Sequence, residues 1–201
     1  ILAHPARRPI IDTVLISGNG EPTLHPQFLE LVKSIFQKIS ELSTDITGSF
    51  NTTASKTPRT RVVCLTNGDR LDQRDVVEAL NLLDEAIVKL DVGTEVYFKE
   101  INRPLSRASV AKLMNGSRRL TNLSIQTAIL PGKQGLAQSH LLDDWIESIA
   151  ILRPQTVYIH PVQGASEDDA YRVCHFLKKH LEKRADNGTK IKALVESDFA
   201  A

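Results

Sequence analysis

Short runs of β-branched and aliphatic residues alternate with longer stretches of helical periodicity, and this order recurs along the whole chain. Ile10 to Ser17 (IIDTVLIS) reads as the first strand. Phe28, Leu31, Val32, Ile35, Phe36 and Ile39 then repeat at the spacing of one helix face. Arg61 to Leu65 predicts the second strand, followed by a helix that Asp72 can cap and that carries Val76, Val77, Leu80 and Leu83. Ala86 to Leu90 predicts the third. After it, Thr94 caps a short helix ending near Asn102-Arg103-Pro104, and a further helix spans about Ser109 to Leu120. Leu123 to Leu130, a glycine-rich loop and a helix over Leu141 to Leu152 form the fourth unit. Thr156 to His160 and a helix over about Asp168 to Arg184 form the fifth, and Lys190 to Val195 reads as a weak sixth strand. Residues 43–60 are rich in Ser and Thr and lack periodicity, which predicts a flexible surface insertion within a single domain spanning residues 1–201. Regular β-then-α order implies right-handed crossovers and a parallel sheet. A barrel or partial barrel is its natural closure, with an open doubly wound sheet as the alternative.

The 201 residues are 41% hydrophobic and 24% charged, enough for one globular core. Lys+Arg number 25 against 24 Asp+Glu, and no long basic run suggests a surface that tracks nucleic acid; Arg118-Arg119 reads as a solvated helix end. No apolar stretch approaches the roughly 20 residues of a membrane span. Two cysteines, Cys64 and Cys174, are too few for a disulfide framework and point to a reducing compartment, so the expected location is the cytoplasm. Three Asn-x-Ser/Thr matches, at Asn51, Asn122 and Asn187, carry no weight because such triplets arise by chance.

In parallel α/β folds ligands bind beyond the carboxyl ends of the strands. Here those ends are Ser17-Gly18-Asn19-Gly20-Glu21, Thr66-Asn67-Gly68, Lys89-Leu90-Asp91, Gln126-Thr127 and His160-Pro161, and each turns polar. Strand alternation puts Ile87, Lys89 and Asp91 on one face and Val88, Leu90 and Val92 on the other. The aliphatic set belongs against helices, which sends Lys89 and Asp91 inward; Gln126 and His160 join them by the same reasoning. A buried ammonium needs a carboxylate, so Lys89 pairs either with Asp91 or with a ligand. The bland reading of the same residues is a structural ion pair. In the first loop, Gly18 and Gly20 permit a sharp turn and close approach to a ligand, while Glu21 offers a carboxylate suited to an ammonium group. The loop lacks the Lys-Ser/Thr of a phosphate-binding P-loop.

Ser17 to Pro26 (SGNGEPTLHP) resembles the glycine-glutamate motif after the second strand of radical S-adenosylmethionine enzymes. Thr66-Asn67-Gly68 resembles the end of their third strand. Val88 to Pro104 (VKLDVGTEVYFKEINRP) resembles a branch of radical-type Fe–S oxidoreductases related to the tRNA wybutosine-synthesis enzymes, and Ile125 to Gly132 (IQTAILPG) continues the match. The resemblance implies a partial TIM-like (β/α)6 barrel, here lacking its first β/α unit. It also implies that Gly20 and Glu21 hold the methionyl ammonium of S-adenosylmethionine, with Asn19 and Asn67 among the cofactor-binding residues. Lys89, Asp91 and Gln126 would meet its carboxylate and ribose hydroxyls, and the backbone near His160 to Val162 its adenine. An electron donor such as flavodoxin or ferredoxin, and a substrate that is a small molecule, a tRNA base or a protein, are implied in the same way.

The family's signature Cys-x3-Cys-x2-Cys, which binds a 4Fe–4S cluster through thiolates, has no counterpart in this sequence. Cys64 lies in an apolar strand and Cys174 on a helix, as small core residues do. The chain begins with Ile1 and enters its first strand early, so the expectation is a piece of a longer enzyme, inactive by itself. Two alternatives stand beside it. One is a barrel lyase with Lys89 as Schiff-base nucleophile; the other is a domain that binds S-adenosylmethionine or a partner without chemistry.

Overall fold

The computed structural model describes residues 11–47, 59–104, 108–130, 139–162, 167–183 and 188–193. Six strands alternate with helices: β1 (Thr13–Ile16), α1 (Phe28–Thr47), β2 (Arg61–Thr66), α2 (Arg74–Leu82), β3 (Glu85–Lys89), α3 (Glu95–Asn102), α4 (Val110–Ser117), β4 (Leu123–Ile129), α5 (Ser139–Leu152), β5 (Thr156–Pro161), α6 (Glu167–Lys183) and β6 (Lys190–Ala193). The strands are all parallel and lie in the order β1-β2-β3-β4-β5-β6. When each strand is laid beside its predecessor with right-handed crossovers, every helix falls on the same side of the sheet. The doubly wound alternative is therefore excluded, and among the described residues β1 and β6 are the edges of the sheet and do not pair with each other.

Burial divides the two faces. Val62, Cys64, Ala86, Val88, Ile125, Val157 and Ile159 are fully buried beneath the helices. Their strand neighbours Arg61, Leu65, Ile87, Lys89, Gln126, Tyr158 and Lys192 stay partly or wholly accessible on the open face. This is a period of two with one face committed to the core. The helix side is closed by Val32, Leu80, Trp145, Ile149, Val173 and Leu177, with neighbouring helices packed against one another from α3 through α6.

The tip of β3 is fixed from the helix side. The buried Trp145 indole donates to the Leu90 carbonyl at 2.8 Å. Gly93 lies so close to α5 that a Cβ there would stand 2.2 Å from the Asp144 carbonyl oxygen.

Several local expectations need correction. Helix α1 continues through Thr47, five residues into the segment read as an aperiodic insertion, because an established helix propagates through poor formers at one hydrogen bond per residue. Asp72 does not cap α2. Two tight turns, Leu71 N–H to Gly68 and Gln73 N–H to Arg70, carry the chain further, and Gln73 becomes the cap without a side-chain bond. Thr94 occupies the cap position of α3, yet its hydroxyl makes no cap bond, whereas Ser109 accepts from the Lys112 N–H at 3.2 Å. Residues 48–58 of the predicted insertion, Asn51, Pro131-Gly132 and Leu194-Val195 lie outside the described residues. No described helix is long and apolar enough to cross a membrane.

Candidate functional site

The carboxyl ends of β1 and β2 are joined through one side chain. A 3-10 turn, Pro22–Leu24, follows β1, and Glu21 at its start turns back towards β2. Glu21 Oε1 accepts from the Thr23 N–H at 3.1 Å, the Thr23 hydroxyl at 2.6 Å and the Thr66 hydroxyl at 2.5 Å. Oε2 accepts from the Asn67 N–H at 2.7 Å. A carboxylate has about four lone-pair sites, so Oε1 is saturated while Oε2 keeps capacity for one more donor. The Asn67 carbonyl oxygen of the side chain accepts from the Asp69 N–H, and Gly68 follows at φ 76°, a left-handed conformation that explains glycine in Thr-Asn-Gly. Gly18 and Gly20 differ from expectation. Neither has positive φ, and a Cβ on either would meet nothing within 4 Å. Both glycines, like Asn19 between them, are exposed in the loop that leads into Glu21.

The end of β3 forms the second part. Lys89 Nζ lies 2.7 Å from Asp91 Oδ2, with the lysine side chain 43% exposed. Asp91 itself is 3% exposed. Its Oδ1 accepts from the Ala128 N–H of β4 at 2.9 Å, and its Oδ2 also accepts from Asn102 Nδ2 of α3 at 2.7 Å. Asp91 is thus a buried strut joining β3, β4 and α3, and Lys89 is the member of the pair that reaches the open face. Asn102 was not a site candidate in the sequence, although it sits within the Ile-Asn-Arg-Pro segment that carried the resemblance; Thr23 and Thr66 were hidden similarly inside recognised motifs.

Register aligns Lys89, Gln126, Tyr158 and Lys192 in one row across β3 to β6, and pairs Ala128 with His160 above it. Gln126 and His160 are half-buried on this face. Below the row, buried Glu85 accepts from the Ser124 hydroxyl at 2.6 Å and the Tyr158 hydroxyl at 2.9 Å, and pairs with Arg61 at 2.9 Å. No sequence signal marked this cluster, because a glutamate opening a strand looks like a loop residue. Burial first, then the hydrogen bond to Glu85 and its charge, push the Tyr158 phenol up to about 12 from its ordinary value near 10. Between those values the folded chain holds a proton that the unfolded chain has lost. Stability from this group is therefore full below pH 10 and lost as pH rises towards 12. Ultraviolet titration should show a tyrosine phase near pH 12, and Tyr158→Phe should remove it.

The two cysteines do not form a cluster site. Cys64 is fully buried, and burial, with the Glu21 charge second, pushes its thiol up to about 12; burial also raises Cys174. Thiolate ligation requires the opposite. No group of three metal-ligating side chains gathers among the described residues.

No family model matches the chain. It is 24% identical over 155 residues to a UPF0026 protein of Synechocystis sp., covering 75% of this chain and 50% of that protein. It is 28% identical over 113 residues to a UPF0026 protein of Helicobacter pylori, covering 56% of this chain and 30% of the relative. The chain therefore spans half or less of the curated relatives it matches. Among solved structures, it superposes on a domain of pyruvate-formate lyase-activating enzyme from Bacteroides vulgatus with a TM-score of 0.62 at 15% identity. That match covers 90% of this chain and 98% of the other. TYW1 with a lysine-pyruvate adduct bound gives 0.61 at 15% identity over 84% and 50%, and Streptococcus suis SuiB bound to S-adenosylmethionine gives 0.57 at 10% over 91% and 37%. These three are radical S-adenosylmethionine enzymes, and the singly wound parallel sheet with its helices on one side is the fold this chain shares with them.

Proposed function

We propose that this chain is the S-adenosylmethionine-binding sheet of a radical S-adenosylmethionine enzyme. The observation that carries the proposal is the Glu21 carboxylate, fastened to the ends of β1 and β2 with one Oε2 lone pair still available, at the end of the loop in which Asn19 and Gly20 are exposed. An α-ammonium group fits that acceptor. The Lys89 ammonium suits the methionyl carboxylate, with Asp91 holding it in place rather than touching the ligand. Asn67 and Gln126 supply amides for ribose hydroxyls, and the chain at His160 borders the adenine. S-adenosylmethionine reduced at a 4Fe–4S cluster supplies a 5′-deoxyadenosyl radical; Cys64 and Cys174 do not fit that cluster, so its ligands are assigned to no residue of this sequence. An electron donor such as flavodoxin or ferredoxin belongs to the same proposal.

A Schiff base at Lys89 is disfavoured. Attack on a carbonyl would require the Lys89 amine to leave its 2.7 Å contact with the buried Asp91 carboxylate.

The test uses the whole protein, purified without oxygen and reduced with dithionite in the presence of S-adenosylmethionine. Release of 5′-deoxyadenosine is expected, and Lys89→Ala should weaken calorimetric binding of S-adenosylmethionine about tenfold, the loss of one charge-assisted contact. A cluster-loaded protein that forms no 5′-deoxyadenosine, or binding indifferent to Lys89, overturns the reading.

A further inference from the structure

Two carboxylates on the strands of the open face, among the described residues, are fully committed. Glu85 is held by Arg61, Ser124 and Tyr158, and Asp91 by Lys89, Asn102 and the Ala128 N–H. Two cations on the same face, Lys190 and Lys192 of β6, have no carboxylate partner among the described residues. Lysines on an edge strand often do no more than discourage edge-to-edge pairing, and then extend into solvent. Lys192 does not. Its Nζ stands 5.4 Å from the centre of the Tyr158 ring, within the range of a cation–π contact. The Tyr158 hydroxyl reaches Glu85 on β3 from β5, so the ring crosses β4 and lies along the floor of the face. The ammonium is therefore drawn inward over that floor, in the row that also holds Gln126 and Lys89.

We propose that Lys192, seated on Tyr158 and supported by Lys190, is the anion-recognition point of the substrate, which carries a phosphate or carboxylate group. The proposal rests on reading the open face as the reaction surface. It places the anion at the β6 side, three strand spacings, about 14 Å, from Lys89. That separation lets a substrate and S-adenosylmethionine occupy one face without competing for one cation. Tyr158 is a positioning residue here, since its hydroxyl is occupied by Glu85 and its ring serves the lysine.

The test is a two-dimensional NMR titration of the 201-residue chain with inorganic phosphate in one arm and acetate in the other. Before any addition, the Lys192 methylene protons should appear upfield through the Tyr158 ring current, and Tyr158→Leu should abolish that shift. On titration, Lys192 and its β5 and β6 neighbours should move saturably. Lys192→Met should weaken the response about tenfold, while Lys38→Met, on the remote face of α1, should leave it unchanged. Thermal unfolding of each variant separates lost binding from lost fold. A stronger response to phosphate assigns a phosphorylated substrate; a stronger response to acetate assigns a carboxylate. Equal titration of wild type and Lys192→Met, or no saturable shift on β5 and β6 with either anion, overturns the proposal. Calorimetry with S-adenosylmethionine on the whole protein reports the Lys89 side separately, so either reading can fail while the other stands.

Discussion

Asp91→Ala is expected to destabilise the chain by about 3 kcal/mol, seen as a fall in the thermal midpoint of roughly 6–12 °C for a domain of this size. The variant strands the Asn102 amide and the Ala128 N–H, both of which now donate to a carboxylate that is itself buried. Lys89 moderates the loss, because a half-exposed lysine can swing out to solvent instead of remaining an unpaired buried charge. The value therefore belongs at the low end for a broken buried pair. Asp91→Asn should cost less, about 1–2 kcal/mol. All three groups facing the carboxylate are donors, so a new amide nitrogen has nothing to donate to in the present arrangement. The Asn102 side-chain carbonyl oxygen is buried without a partner, however, and a flip of that amide would let it accept from the substituted residue. The combination Asp91→Asn with Asn102→Leu removes this rescue and should lose more than the two single effects added. Equal midpoints for Asp91→Ala and Asp91→Asn would refute the flip, and a change below 2 °C in both would show that Asp91 is no strut.

The ordering of these effects shows what the residues revealed in advance. The alternation of periods two and 3.6 was enough for every strand and for the parallel sheet, because the inner strands each bury one aliphatic face, such as Val62 and Cys64 or Val157 and Ile159. Alternation along β3 also foretold that Lys89 and Asp91 share a side, and the geometry joins them at 2.7 Å. It did not foretell the division of labour. That depends on Ala128 and Asn102, 37 and 11 positions away from Asp91, whose donors meet it only after folding. Glu85 was missed for the same reason: Arg61, Ser124 and Tyr158 converge on it from three other strands. Helix starts failed where cap chemistry competed with turns, as at Asp72, and α1 outran its own periodicity because propagation needs no apolar partner. Local pattern finds faces; which polar atoms saturate each other is a long-range property.

Glu21 offers the other large effect. Glu21→Ala removes the acceptor of the Thr23 and Asn67 N–H groups, and frees the hydroxyls of Thr23 and Thr66. The hydroxyls, on two buried threonines, can rotate to another acceptor, whereas the two amides are fixed by the backbone. About 2–4 kcal/mol is expected, the range for two charge-assisted bonds in a half-buried site, with the β1 and β2 ends no longer fastened together. Glu21→Gln is the sharper probe. Its single oxygen can face either Thr23 N–H or Asn67 N–H, and in each orientation the amide nitrogen confronts the other donor. One N–H is orphaned whichever way it turns, so this near-isosteric change should still cost about 1–3 kcal/mol. Amide hydrogen exchange identifies the loser, since the protection of either Thr23 or Asn67 should collapse while its counterpart survives. Both variants should also weaken S-adenosylmethionine binding by the whole protein at least tenfold if Oε2 meets an ammonium group. Retained protection at both amides would mean that Glu21 does not fasten the two strand ends, and unchanged ligand affinity would leave the carboxylate a purely structural clasp.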